Sequence, residues 1–349
     1  MQKAERIEWI DICKLSAIFL VVLLHFGTPS QVDDLVHIFH MPVFFFLSGF
    51  CFDEVKHKSF VSYTISGIKK LIVPYILFAV FFYVIWTFIY FVIMPDRCTS
   101  LHKFLVTLLL TNTDPVLYLW GAVQWFLTSL FFTQHIFWLV CKAVSNEYFR
   151  FLLSAAISVT YICLFDHFGF VRLPLAFDTS IVSLCFYSAG HFCSKKKLTD
   201  EMKVKCLAVQ IPLLSVILFI IYYFFGTINL RTIDIPYPFV FIAGGITGSL
   251  VMIMISVLMT GILKRRFSDS GLYKDLLYIG QNTIAVLFIH RFFDGIDKTI
   301  LDLAGISFEN VTVKYLYFAF MTLLFFAVCK YPIRLINKFI PFMLGKRNE

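Results

Sequence analysis

Ten long apolar stretches bound what this chain can fold into. They lie at 11–28, 38–53, 71–94, 122–141, 149–166, 174–193, 207–226, 237–263, 274–292 and 313–331. About 20 helical residues cross the roughly 30 Å of hydrocarbon in a bilayer. Composition leads to the same place. The chain has 349 residues, 59% apolar and only 15% charged, with a mean hydropathy of +0.83. A soluble protein carries a coat of about one quarter charged residues, and 43 Phe with 16 Tyr would leave large apolar patches on such a surface. A soluble globular enzyme, a disordered regulator and a disulfide scaffold are therefore excluded. The expected fold is all-α, a polytopic integral membrane protein with about ten transmembrane helices. No repeat or linker divides it, so residues 1–349 read as one domain, with core helices over about 11–331 and a basic, amphipathic interfacial tail over 332–349. The first stretch has no small-residue cleavage site and holds Lys14 and His25, which marks a retained helix rather than a signal peptide. Residues 98–121, interrupted by Asn112, Asp114 and Pro115, read as an interfacial or re-entrant piece.

The charges sort by side. With a cytoplasmic N-terminus, 23 of the 30 Lys and Arg fall on the cytoplasmic side, among them Lys56, Lys58, Lys69, Lys70, Lys195, Lys196, Lys197, Lys264, Arg265, Arg266 and the tail from Lys330 to Arg347. This positive-inside bias places both termini in the cytoplasm and accounts for the net charge of +8 through membrane lipids, without a nucleic-acid partner. The nine cysteines form no Cys-x-x-Cys and no Cys/His ligand spacing, so the expectation is small apolar core residues, no disulfide framework and no metal.

Ionisable groups inside spans are costly and point to function. Asp11 and Lys14 are three residues apart on one helix face, where they form either an ion pair or part of a site. His25 lies eleven residues beyond Lys14, roughly 16 Å along the axis and within about 20° of the same direction, so both line one stripe. His40 opens the second span, His290 ends the ninth, and Asp178 and Trp125 begin inward-running spans, which gathers all of them near the outer level with His25. Trp125 equally suits an aromatic interface belt. His37, His102, His135, His167 and His191 read as rings bonded to backbone carbonyls.

At these residues the sequence resembles the acyltransferase 3 family of membrane acyltransferases, and within it sugar O-acetylases akin to fucose 4-O-acetylase. The matching pieces are Arg6-x-x-Trp9-Ile10-Asp11-x-x-Lys14 with His25, Phe39-His40-Met41-Pro42 through Ser48-Gly49-Phe50, and Lys69-Lys70-Leu71-Ile72-Val73-Pro74-Tyr75. Further on come Gln124-Trp125-Phe126-Leu127, Phe177-Asp178 to Gly190, and Gly280-Gln281-Asn282-Thr283 to His290. The resemblance implies ten core helices and transfer of an acyl group, usually acetyl, from cytoplasmic acetyl-coenzyme A (acetyl-CoA) to a hydroxyl of a cell-surface glycan or lipid-linked sugar. It makes Lys14 and His25 the functional pair. The family often has Arg at the basic position; Lys keeps the charge without the bidentate fork.

Transfer from a thioester needs a base, a place for the oxyanion and exclusion of water. His25 is the expected general base or transient acyl carrier, with His40, Asp178 and His290 as candidates to orient it or stabilise charge. Lys14, Lys69 and Lys70 are expected to hold the anionic end of acetyl-CoA, and Asp11, Trp125 and Asn282 to contact substrate. The expected location is the cytoplasmic (inner) membrane of a bacterium. The rival reading is a secondary transporter of a glycan precursor, since ten helices with buried polar residues also suit a carrier. The sequence carries no signal for oligomeric state.

Overall fold

A backbone in hydrocarbon has no water to bond and must close its own hydrogen bonds, which is why each apolar run becomes helix. A computed structural model describes residues 6–54, 59–93, 98–110, 123–197, 204–226 and 228–346. Lys56, Lys58, Asn112, Asp114, Pro115 and Arg347 lie outside the described residues. In chain order the helices are α1 (Glu8–Phe26), α2 (Ser30–His37), α3 (Pro42–Phe50), α4 (Phe60–Gly67), α5 (Val73–Ile93), α6 (Leu101–Leu109), α7 (Trp125–Ala143) and α8 (Glu147–Phe168). Then follow α9 (Phe177–Lys195), α10 (Val204–Phe225), α11 (Pro238–Phe267), α12 (Gly271–Gln281), α13 (Thr283–Leu303), α14 (Val311–Val328) and α15 (Lys330–Phe339). Among the described residues the only extended pairing is an isolated bridge between Asn229 and Asp234. Helix starts follow local chemistry: the Asn146 carboxamide accepts from the amides of Tyr148 and Phe149 at the start of α8, and Asn310 does the same for Thr312 and Val313 at α14.

Among the described residues eight helical stretches are long and apolar enough to cross a membrane, and α12 with α13 make a ninth if the bent pair counts as one span. The remaining expected span, 174–193, is α9, a 19-residue helix buried along most of its length but rich in polar residues such as Asp178, Thr179, Ser180, Ser183 and His191. Two expected spans take a different form. The second is not a single rod opening at His40. It is composite, with α2 and α3 joined by a turn that contains His40. The ninth, expected as one outward-running helix over 274–292, is broken at Asn282, where α12 and α13 meet at 89°. The break is stabilised locally. The Asn282 side-chain amide donates to the Tyr278 carbonyl at 2.7 Å and its backbone amide to Ile279 at 2.9 Å, while its own carbonyl accepts from Val286. Carbonyls that the interrupted helix would leave orphaned thus regain partners.

The helices gather into two compact units that interleave along the chain. One comprises Met1–Ser48, Cys193–Ile228 and Phe239–Arg334; the other comprises Gly49–Phe192, Asn229–Pro238 and Leu335–Glu349. In the first unit α1 packs on α12, α13 and α14, and α2 meets α10. Gly244 and Gly248 of α11 lie against Ile38 and Phe39, with no room for a Cβ, the small-residue close packing that membrane helices use where lipid removes the hydrophobic drive to associate. In the second unit α7 packs against α8 and against a π-helical turn, Ile68–Ile72, that joins α4 to α5.

All nine cysteines are free thiols. Cys13, Cys185 and Cys329 are buried as expected, and Cys98, read as lying in an outer loop, is exposed, but Cys51, Cys163 and Cys206 are exposed too. Cys163 of α8 and Cys206 of α10 sit in apolar membrane helices, which have a lipid-facing side as well as a core side, and Cys51 lies in the turn after α3, so membership in an apolar run does not by itself bury a residue.

Candidate active site

The centre of the first unit is α1. It runs unbroken from Glu8 to Phe26, so Lys14 and His25 do share one helix, about 16 Å apart along its axis. His25 falls in its last turn. Its Nδ1 lies 2.7 Å from the carbonyl of Val21, four residues back. A carbonyl only accepts, so Nδ1 carries the hydrogen and a neutral ring keeps its lone pair on Nε2. The same bond recurs in His290 (Nδ1 to Val286, 3.0 Å) and His40 (Nδ1 to Val36, 2.9 Å). The helix backbone thus leaves the lone pair of each neutral ring on Nε2.

Two of the expected histidines come together. The rings of His25 and His290 lie 5.1 Å apart, edge to face at 74°. His290 is fully buried, and its Nε2 has no hydrogen-bond partner among the described residues. His25 is half-buried and so the more accessible of the pair. Aromatic rings wall them in: Phe325 stands 6.5 Å from His290, and Phe293 packs on both Phe26 and Phe325. A buried acceptor left unmatched costs about 1–3 kcal/mol and calls for an explanation in chemistry. His40, also buried, lies edge-on to His37 with ring centres 4.8 Å apart.

At the other end of α1, of the two readings for Asp11 and Lys14, the ion pair is not what forms. Arg6, just before the helix, grips Asp11 with two donors at 2.6 and 3.0 Å, and the Gln281 amide adds a third at 3.2 Å. A bidentate guanidinium outcompetes a single ammonium for a carboxylate. Lys14, half-buried, makes no hydrogen bond or salt bridge among the described residues. The stripe therefore ends in an uncommitted cation, while Asp11 ties α1 to the broken helix beside Asn282.

The remaining expected residues stand in the second unit. Asp178 is fully buried, and its Oδ2 takes the Arg172 guanidinium and the Leu173 amide, while Oδ1 accepts the Thr179 amide at 2.7 Å. Trp125 opens α7 and is 4% exposed, turned into the protein rather than into a surface belt. Lys69 and Lys70 are exposed on the π-helical turn.

Sequence reading misses a cluster just beyond His290. Asp294 is buried and receives Arg291 at 2.8 Å and Lys298 at 2.9 Å, and the Tyr317 hydroxyl donates to Asp297. The signal is present as Arg291-x-x-Asp294-x-x-x-Lys298, an acid flanked by bases on one helix face. Ending the span at 292 hides it, whereas these pairs allow α13 to continue to Leu303.

No curated protein and no solved structure matches the chain significantly. The sequence profile of an acyltransferase domain, that of acyltransferase 3, matches residues 7–331. It runs from the residue after Arg6 through α1, the broken helix and α14, and so takes in both the Lys14–His25 stripe and His290. The chain belongs to the acyltransferase 3 family and is an integral, multi-pass membrane acyltransferase.

Proposed function

We propose that this acyltransferase is an O-acetyltransferase that moves acetyl from cytoplasmic acetyl-CoA to a hydroxyl of a cell-surface glycan or lipid-linked sugar, with both termini cytoplasmic and the chain in a bacterial inner membrane. The observation that carries the reading is the His25–His290 pair: two imidazoles 5.1 Å apart, each with Nδ1 committed to its own helix and its lone pair on Nε2. In this reading Nε2 of His25 takes the proton of the acceptor hydroxyl as its oxygen attacks the thioester carbonyl. Collapse expels the CoA sulfur, which leaves as the thiol after receiving that proton back from His25. The surrounding Phe rings keep water out, so that transfer outruns hydrolysis. An acetyl group carried transiently on His25 is the alternative order of events.

Membranes containing the protein, incubated with acetyl-labelled acetyl-CoA and a panel of glycan acceptors, should place label in one glycan fraction. Label that never leaves CoA, or passage of an unmodified glycan precursor driven by an ion gradient and indifferent to acetyl-CoA, would overturn the reading and favour a carrier.

Lys14 supplies a separate check. Its uncommitted ammonium suits a phosphate or carboxylate of the donor, and a charge-assisted hydrogen bond is worth about 1.5–3 kcal/mol. Lys14→Ala should raise the KM for acetyl-CoA by roughly ten- to a hundredfold, and Lys14→Arg should keep or lower it. An unchanged KM in Lys14→Ala would remove Lys14 from donor binding.

A further inference from the structure

We propose that Glu54, Cys141, Glu147 and His191 form a binding site for one zinc ion that fastens together four elements of the second unit. Glu54 follows α3, Cys141 lies near the end of α7, Glu147 is the first residue of α8, and His191 lies near the end of α9. These residues take no part in the proposed acyl transfer.

The donor set is what the geometry offers first. Ligand atoms of Glu54, Cys141 and His191 all lie within 4.8 Å of one another. The Nε2 of His191 is 3.6 Å from Oε1 of Glu54 and 3.4 Å from Oε2 of Glu147. A tetrahedral zinc site with bonds of about 2.0–2.1 Å to nitrogen and oxygen has edges of about 3.3–3.4 Å, slightly longer toward sulfur. The two measured separations are close to such edges, while the Cys141 sulfur, within 4.8 Å of the Glu54 and His191 ligand atoms, would move inward to ligate. Imidazole, thiolate and carboxylate together select zinc over magnesium or calcium, which take oxygen alone.

The surroundings fit an ion. Phe52, Glu54, Trp138, Cys141 and Lys142 line a cavity of about 20 Å³, above the roughly 10–15 Å³ that one water-sized occupant needs. Arg150, itself buried, donates to Glu54, to Oε1 of Glu147 at 3.1 Å and to the carbonyls of Val144 and Cys141. It holds both carboxylates in place as an outer layer of partners, which is how ligating carboxylates are usually oriented. Zinc would take Cys141 as the thiolate, its proton being released on binding. A protonated His191 between the two carboxylates, with no metal, is the competing account. His191 is 1% exposed and flanked by the two carboxylates.

The test uses the purified full-length protein in detergent. Elemental analysis should give about one zinc per chain, and stripped protein titrated with cobalt(II) should develop the near-ultraviolet sulfur-to-cobalt band of a thiolate ligand. Cys141→Ser should abolish that band and His191→Gln should weaken metal binding about tenfold or more, while Cys185→Ser should change neither. Absence of both zinc and the cobalt band in folded wild-type protein overturns the site, whatever the variants do, and leaves the protonated-His191 ion cluster in its place. Acyl transfer is not the readout, so failure here and failure of the acetyltransferase reading are separable.

Discussion

Membranes carrying His25→Ala are expected to transfer acyl groups about 10²- to 10⁴-fold more slowly than wild type at saturating donor, with the KM for acetyl-CoA little changed. The size follows from what is removed. His25, half-buried, supplies an Nε2 whose lone pair is fixed by the Nδ1 bond to Val21, and alanine offers no group to accept the hydroxyl proton. Donor binding is expected to survive, because in this reading it rests on Lys14, about three turns away along α1. His25→Gln is the sharper variant, since it nearly keeps the volume and a hydrogen-bonding atom yet has no titratable nitrogen. Loss of rate in both variants with normal protein level and unchanged KM identifies a base. His290→Ala should have a smaller effect on rate, because its buried Nε2 acts on the reaction only through His25. Full activity in His25→Ala would remove both the base and the acyl-carrier versions of the mechanism. Acetyl trapped on His25 with donor alone would separate these two.

The amino-acid sequence makes some of this fold and site legible and conceals the rest, for physical reasons. The helices are legible because backbone satisfaction in lipid leaves few alternatives, and the Lys14–His25 stripe because helical periodicity holds over eleven residues of one unbroken α1. The approach of His290 to His25 follows from depth: two spans with a histidine toward the same end can bring the rings level. Three features stay hidden. The break at Asn282 depends on a single side chain returning to the Tyr278 carbonyl, which an average over an apolar window smooths away. The partner of Asp11 escapes because spacing within a helix favours Lys14, while the stronger bidentate donor, Arg6, precedes the helix. The meeting of Glu54, Cys141, Glu147 and His191 comes from four separate elements, so no linear spacing announces it.

Gly280→Ala is expected to lower the thermal midpoint of the purified protein and to reduce activity with it, whereas Gly261→Ala should be neutral or slightly stabilising. Gly280 is where α12 comes close against the backbone of α1. A Cβ built there would stand 2.8 Å from the Asp11 carbonyl carbon and closer still to its oxygen. That oxygen belongs to a helix backbone and cannot rotate aside as a flexible side chain would. The helices must therefore part, and overpacking of this kind costs about 1–3 kcal/mol, sometimes more. Parting them also stretches the 3.2 Å bond from Gln281 to Asp11, and with it the register between the broken helix and the helix that carries Lys14 and His25. Gly261 sits in α11 with nothing within 4 Å of its would-be Cβ. Alanine there gains the roughly 0.5–1 kcal/mol by which it exceeds glycine inside a helix. The pair of variants thus isolates close approach from helix propensity. Equal midpoints for the two would show that α1 and α12 do not depend on contact at Gly280, and the anchoring of the Asp11 end of the site to the broken helix would have to be abandoned.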